Sequence, residues 1–328
     1  MFDFAHLGGF ENLINYLSPS ENTQLDLNLI SFIFYILDKC AFLFHKDYVK
    51  KLALDIQERI FKFLNEMSHD QLRNIRKDTL ESINKVLKFF LGKNSSEEEV
   101  KKVLDEFSLN FSLRMIKTEF FDKRKQAVSY LTDIIQSNKN NTSQRSDLIR
   151  ILEENQIFST IFGKNAHHQI ISMSKEILQL LLQENKVSDK DFETILANVK
   201  SGGNLEEKLT ILRLLNEVSS SLSKNQVSHI LNYIYSSKLH IQDMHKEEID
   251  LIYSLSTHKS QEKETLDKCI IFFIGCIQSS KESDNEKINQ TINKVYDITT
   301  NHTDFKQTVL NLCLESLEKV NVYYLTDV

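Results

Sequence analysis

A near absence of proline and glycine is the feature that most constrains the fold of this chain. The 328 residues include one proline and seven glycines, whereas an average composition would supply roughly three times as many glycines and over ten times as many prolines. Proline breaks the interior of a helix and glycine weakens it. Long uninterrupted helices are therefore expected, and the chain is predicted to be all-α.

Start signals and apolar periodicity divide the chain into about sixteen predicted helices, most of them joined by short polar turns. Ser68, Ser96 and Ser223 each precede a glutamine or glutamate by three residues, the spacing of a capping box. Ser188 precedes two acidic residues, which are favourable at the positive end of a helix dipole. Apolar residues recur with helical period in two clear stripes: Ile170, Met173, Ile177 and Leu181, and Leu205, Leu209, Leu212 and Leu215.

From Ser188 onward, predicted helix starts recur at a spacing of about 40 residues per helix pair, the period of HEAT and armadillo units. The chain is therefore predicted to be an α-solenoid of degenerate armadillo/HEAT-like repeats. The alternative is a closed helical bundle of two domains; the solenoid is favoured because it explains the length, the period and the wide stripes together. Repeats over 1–137 and 145–328 are expected to form one continuous solenoid, with 138–144 as a loop.

One helix pair is predicted in detail. The segments Leu205–Val218 and Ser223–Tyr235 are expected to pack as an antiparallel pair, because the turn between them is short. Four apolar side chains of the pair should then be buried: Leu209, Leu212, Ile230 and Leu231.

Charge and hydropathy exclude several function classes. A net charge of −6 argues against general binding to nucleic acid, which needs a basic face. The apolar run Leu29–Leu37 is far shorter than the roughly 20 residues that span a bilayer, so no membrane insertion is expected. Met1–Phe10 has neither a basic region nor a long apolar run, which predicts no secretory signal.

The cysteines and histidines of this chain do not form a recognisable catalytic or metal-binding motif. The four cysteines lie in apolar stretches without a CxxC pair, which indicates buried, reduced thiols in a cytosolic or nuclear protein. The adjacent His167 and His168 would lie about 100° apart on a helix, and His240 and His245 offer no better metal site. No catalytic, cofactor-binding or metal-binding residue is therefore predicted. The cysteines are Cys40, Cys269, Cys276 and Cys313.

The basic run Lys117–Lys125 is the one candidate for binding a partner. It contains Lys123, Arg124 and Lys125 immediately before an amphipathic stretch. Such a run usually means a solvated helix start. The other interpretation is a docking patch for an acidic protein partner, and both remain open from the sequence.

The middle of the chain resembles a known family over several consecutive segments. FFDKRKQAVSYLTDII (Phe120–Ile135) is followed by a stretch that contains the element ENQI (Glu154–Ile157), and then by VSDKDFETILA (Val187–Ala197) and EEKLTILRLLNEV (Glu206–Val218). LSKNQVSHIL (Leu222–Leu231) completes the series. This order is similar to the armadillo-like region that precedes the protease domain in large ubiquitin-specific proteases of the fat-facets class.

The resemblance implies a non-catalytic part of such a protease. The family's catalytic domain opens with a cysteine box and closes with a histidine box, and this sequence contains neither. The resulting hypothesis is a scaffold that docks protein partners, including substrates of a ubiquitin-related pathway, without a cofactor. Two alternatives remain: a helical adaptor or transport-type protein unrelated to ubiquitin, and a thiol hydrolase.

Overall fold

The computed structural model describes most of the chain, and most of what it describes is helix, joined by turns and short connections. The described residues are 7–15, 27–40, 57–63, 65–92, 95–163, 166–200, 204–237, 244–258, 263–278, 285–301, 306–307, 309–311 and 314. Within these ranges no residue lies in a β-strand, so the predicted all-α class is confirmed. The chain divides into two compact units, Met1–Arg145 and Ser146–Val328.

The first unit contains six helices with defined bounds: α1 (Gly9–Asn15), α2 (Leu27–Cys40), α3 (His69–Asn74), α4 (Lys77–Gly92), α5 (Glu97–Ile116) and α6 (Phe121–Ser137). Residues 57–63 and 65–66 are also helical. Helix α5 packs most extensively against α6, and α4 packs against both α2 and α5. Phe90, Leu131 and Met115 are fully buried in this core.

Helix α7 (Thr142–Glu154) includes the residues at which the two units divide. The second unit continues with α8 (Ile157–Phe162), α9 (His168–Met173), α10 (Lys175–Gln183), α11 (Asp189–Lys200), α12 (Leu205–Glu217), a 3₁₀ turn (Ser219–Ser221), α13 (Lys224–Ser237), α14 (Lys246–His258), α15 (Lys263–Gln278) and α16 (Asn285–Asn301).

The helix starts that the sequence predicted from capping signals are confirmed. At Ser68, Ser96 and Ser223 the serine oxygen accepts from the backbone N–H three residues on, and the side chain at that position accepts from the serine N–H. Ser188 and Asp191 exchange the same bonds, with Asp191 Oδ2 at 3.2 Å from the Ser188 nitrogen. These reciprocal bonds satisfy backbone donors that a helix start otherwise leaves unpaired.

Helices of the second unit pack in two series, which we call the first row and the second row. In the first row, α8 packs against α11, α11 against α13 and α13 against α15. In the second row, α9 packs against α12, α12 against α14 and α14 against α16. Contacts between α11 and α12, between α14 and α15 and between α15 and α16 join one row to the other.

The spacing along each row reproduces the repeat period expected from the sequence. The first-row helices α11, α13 and α15 begin 35 and 39 residues apart. The second-row helices α12, α14 and α16 begin 41 and 39 residues apart. Each pair of helices therefore packs on an equivalent pair about one repeat away, as in helical repeat proteins.

The predicted pairing of α12 with α13 is wrong. Helix α12 packs against α9, α11 and α14, whereas α13 packs against α11, α14 and α15. The turn between them is short but not a simple reversal, because Val218 and Leu222 are buried there and the 3₁₀ turn packs against α10, α12 and α14. Of the four side chains predicted to be buried, Leu212, Ile230 and Leu231 are 1% exposed, and Leu209 is half-buried.

Two further boundaries differ from the predictions. The stripe from Ile170 to Leu181 is divided between α9 and α10 at Ser174, whose hydroxyl donates to the Ile171 carbonyl at 2.7 Å. Serine makes such local bonds in competition with the helix ladder. The predicted loop 138–144 ends at residue 141 because the Asn141 side chain accepts from the Gln144 N–H at 3.2 Å, and α7 begins at Thr142.

No helix among the described residues is long and apolar enough to cross a membrane.

Candidate docking surfaces

Three cations of the basic run, Lys123, Arg124 and Lys125, lie at the start of α6 and have different surroundings. Lys123 is half-buried, and its Nζ donates to the Ile75 carbonyl at 2.6 Å, at the end of α3. Burial lowers the pKa of Lys123, and the charge of Asp122 partly opposes that shift. Lys123 therefore holds α6 against the end of α3. Its ammonium group is less accessible to a partner for that reason.

Arg124 and Lys125 complete the run. Arg124 is half-buried, and desolvation lowers its pKa. Lys125 is exposed. The structure therefore leaves Lys125 as the most accessible of the three predicted docking residues, with Arg124 partly accessible beside it in sequence.

Neighbouring cations also contribute to the internal structure of this unit. Arg114, on α5, donates from Nη2 to the carbonyl of Met67, just before α3. Arg73 lies over the Phe120 ring, with its Cζ atom 4.9 Å from the ring centroid. The sequence reasoning treated the basic residues as one surface feature and missed these links between α3 and the ends of α5 and α6.

The histidine pair occupies a helix start, as the sequence indicated. His167 Nδ1 accepts from the Gln169 N–H at 3.2 Å and caps α9, and the rings of His167 and His168 stack with centroids 4.4 Å apart. Over the described residues there is no group of three or more His, Cys, Asp or Glu side chains placed to hold a metal ion. His245 donates its backbone N–H to Glu248 at 2.8 Å, and His240 lies outside the described residues.

Cys269, on α15, is the cysteine whose surroundings are described. It is fully buried, and desolvation raises the pKa of its thiol to about 12. A thiolate nucleophile needs a lowered pKa and access to substrate, so Cys269 has the properties of a structural thiol. The side chains of Cys40 and Cys276, and all of Cys313, lie outside the described part.

A cavity of about 360 Å³ lies in the second unit, between the junction of α7 with α8 and the start of α11. Its apolar lining comes from Leu152, Ile157, Phe158 and Leu181. Its polar lining comes from Glu153, Gln156, Ser159, Lys186 and Asp191. Lys186 and Glu153 form an ion pair at 3.2 Å, each with its side chain about two-fifths exposed.

Sequence reasoning did not find this cavity. One signal was present, since Ile157 and Gln156 belong to the ENQI element that the family resemblance quoted. Helical periodicity could not have located it, because the lining residues come from four helices and two turns that are distant in sequence.

The family described as UBP24/USP9X/USP9Y ARM repeat matches residues 102–328. The chain belongs to this family. Membership confirms the predicted armadillo-like repeats, and it confirms the resemblance to the non-catalytic region of large ubiquitin-specific proteases. The matched range includes both rows of helices and the cavity.

Individual relatives are distant but cover most of this chain. Ubiquitin carboxyl-terminal hydrolase 9Y of Mus musculus is 20% identical over 250 residues, which is 71% of this chain and 10% of that protein. Ubiquitin carboxyl-terminal hydrolase 9X of Mus musculus is 21% identical over 251 residues, with the same coverage. The Homo sapiens 9Y protein is 20% identical over 251 residues. The match spans about a tenth of the length of these relatives.

Proposed function

We propose that this chain is a non-catalytic helical scaffold that docks protein partners or substrates in a ubiquitin-related pathway. The observation that carries the proposal is the family match over 102–328, which is to an armadillo repeat region. Repeats that pack on one another in rows present many side chains along an extended surface. Such a surface suits recognition of another protein chain.

At the basic run, the proposed partner is an acidic segment of a protein. Support comes from the exposure of Lys125 and the partial exposure of Arg124 at the start of α6. The chain as a whole carries a net charge of −6, so a local basic patch stands out against its background and would orient an acidic segment. The proposed location is the cytosol or the nucleus.

Binding of a terminally blocked octaglutamate peptide tests the docking patch. The change is Lys125→Glu, and its matched control is Lys102→Glu, an exposed lysine on α5 with the same change in net charge. We expect Lys125→Glu to weaken binding about fivefold or more at low salt, and Lys102→Glu to weaken it about twofold or less. Equal effects of the two variants, or no binding at low salt, would remove the basic run from the proposal.

A ubiquitin-based suicide probe separates the scaffold from the thiol hydrolase. The buried position and raised pKa of Cys269 support a scaffold without a reactive thiol. We expect no covalent adduct after incubation of the full chain with the probe, as judged by intact-protein mass spectrometry. An adduct on any of the four cysteines would overturn the non-catalytic proposal.

A further inference from the structure

The backbone that borders the cavity is strained at Gln156. This residue has φ 54° and ψ 39°, in the left-handed region, which side chains other than glycine and asparagine rarely adopt. Within the described part of the chain, the other non-glycine residue with positive φ is Asn185. Asn185 follows the end of α10, with bonds from the Lys186 N–H to Leu181 and from its own N–H to Leu182. Gln156 holds the equivalent position after α7, where its N–H donates to the Glu153 carbonyl, so both residues terminate helices.

Surrounding bonds hold Gln156 in its strained conformation. Its carbonyl accepts from the Thr160 N–H at 3.1 Å, from the Thr160 hydroxyl at 3.0 Å and from the Ser159 hydroxyl at 3.0 Å. Its own N–H donates to the Glu153 carbonyl at 2.9 Å. These bonds end α7 and start α8, so the left-handed conformation of Gln156 fixes the turn between two helices that line the cavity.

Helix α8, which forms one wall of the cavity, is fixed at its far end. The Asn198 amide of α11 donates to the Phe162 carbonyl at 2.6 Å. Gly163 follows, and a Cβ atom there would lie 2.3 Å from the Ser159 carbonyl oxygen, so this close turn requires glycine. The cavity wall is therefore part of a rigid element, as a preformed binding site requires.

The lining of the cavity combines a buried apolar floor with charged residues at the rim. Leu152, Ile157 and Leu181 are at most 3% exposed and form the floor, and Phe158 is half-buried beside them. At the rim, Glu153 is paired with Lys186, and the Asp191 carboxylate accepts from the N–H and the hydroxyl of Ser188, which are neutral donors. Two carboxylates and one ammonium give the lining a net negative charge.

We propose that this cavity binds a bulky apolar side chain of a protein partner that carries lysine or arginine on either side of it. The apolar side chain of the partner packs against the floor and the Phe158 ring. The cavity volume of about 360 Å³ is within the range of small ligand sites. Asp191 and Glu153 then attract the flanking cations. The inference rests on the proposed docking function, but its probe and its residues differ from those of the octaglutamate test, so either can fail alone.

A terminally blocked Lys-Trp-Lys peptide is a suitable probe because the chain has no tryptophan. Titration of the full chain into this peptide is expected to shift the indole emission to shorter wavelength in a saturable manner. A blocked Glu-Trp-Glu peptide should bind about tenfold more weakly, and N-acetyltryptophanamide should also bind more weakly. Equal binding of the three probes, or no shift with Lys-Trp-Lys at millimolar protein, would overturn the proposal.

Two variants place the binding at the cavity. Phe158→Ala should weaken Lys-Trp-Lys binding about fivefold or more, since it removes the aromatic wall. Lys186→Gln should strengthen that binding about threefold, because it removes the cation among the described lining residues. Misfolding cannot produce a gain in affinity. The matched control is Lys190→Gln, an exposed lysine outside the lining, which should leave binding unchanged. If Lys186→Gln and Lys190→Gln behave alike, the cavity is not the site.

Discussion

The two rows of the second unit have similar apolar cores but are joined by different polar interactions. Along the first row, three neutral side chains donate to backbone carbonyls of the preceding repeat: Asn198 to Phe162 at 2.6 Å, Gln226 to Val187 at 3.3 Å and Tyr233 to Val199 at 3.3 Å. A longer contact, from His229 to Glu193 at 3.9 Å, also joins α13 to α11. Along the second row, ion pairs join successive helices: Lys208 with Glu248 at 3.1 Å, Arg213 with Glu247 at 2.7 Å and Lys294 with Asp250 at 2.9 Å.

The difference shows that one repeat period can be stabilised by two kinds of chemistry. The stabilisation from neutral hydrogen bonds to backbone carbonyls changes little with salt or pH. Partly exposed ion pairs, in contrast, are weakened by salt screening and are lost when the carboxylate is protonated. The second row, with three ion pairs at 2.7–3.1 Å, should therefore respond to salt more than the first. Burial of apolar side chains should dominate in both rows.

Truncation of a core leucine is expected to have the largest effect. Leu212→Ala in α12 should lower the free energy of unfolding by about 2–5 kcal/mol, because Leu212 is 1% exposed. Leu205→Ala is the matched control on the same helix, where the leucine is 53% exposed, and it should cost under about 1 kcal/mol. Urea denaturation measures both values.

Hydrogen exchange would show which helices lose stability when Leu212 is truncated. In the Leu212→Ala variant, amide exchange should quicken first in α9, α11 and α14, which pack against α12. Equal quickening in every helix of the second unit, including α15, would contradict the repeat-wise coupling of the rows.

Removal of the cation from the most buried ion pair should have the next largest effect. Glu248 is fully buried, and the Lys208 side chain is 18% exposed; their 3.1 Å contact is an ion pair whose angle falls short of a hydrogen bond. Lys208→Met should cost about 3 kcal/mol, because it leaves a buried carboxylate without its cation. Adding Glu248→Gln to that variant should recover part of the loss in a double-mutant cycle. No recovery would mean that the pair is not the source of the effect.

A first-row bond should contribute less, and its contribution should not depend on salt. Gln226→Ala removes a donor to the Val187 carbonyl and an acceptor for the Ser223 N–H, and Gln226 is 6% exposed. The expected cost is about 1–2 kcal/mol at both low and high salt. Glu99→Ala disrupts an exposed capping box and should cost about 0.5–1 kcal/mol. A marked salt dependence for Gln226→Ala would weaken the contrast between the rows.

Removal of the charge from Glu247, the partner of Arg213, should have the smallest effect on the free energy of unfolding, and that effect should depend on pH. Burial alone would raise the pKa of Glu247, but the Arg213 hydrogen bond, a backbone hydrogen bond and the charges of Arg213 and His245 together lower it. A lowered carboxyl pKa stabilises the folded state above the ordinary glutamate value, and that stability is lost as pH falls through the folded value. Glu247→Gln should therefore cost up to about 1 kcal/mol at pH 7.

That cost should shrink as the pH falls below the ordinary glutamate pKa, and it should vanish below the lowered pKa of Glu247, where the side chain is protonated in the parent chain as well. Thermal unfolding of both proteins between pH 7 and pH 3 measures the change. A difference that stays constant over this range would show that the carboxylate charge of Glu247 does not stabilise the fold.

Local rules were sufficient for the helix starts that carry capping signals. The serine-led capping boxes at Ser68, Ser96 and Ser223 were predictable because each depends on two residues three positions apart. Helix pairing was not predictable in the same way. A short turn between α12 and α13 suggested direct packing, but the buried side chains of Val218 and Leu222 and the 3₁₀ turn place these helices in different rows.

The docking residues show the same limit. The basic composition of Lys123–Lys125 is visible in the sequence, but the bond from Lys123 to the Ile75 carbonyl joins residues 48 positions apart. The left-handed conformation of Gln156 was equally hidden, because glutamine has no local preference for it and only the surrounding bonds enforce it. Long-range contacts and enforced strain have no local sequence signal.

The hydrogen bonds that join successive helices within each row connect residues 34 to 43 positions apart. The entropy lost on closing a chain segment grows only with the logarithm of its length, so each of these closures costs nearly the same. Each of these hydrogen bonds can form once a segment of about one repeat is present. As the chain leaves the ribosome, an early helix pair can therefore gain its neighbour after one further repeat has emerged, well before synthesis of the remaining residues is complete.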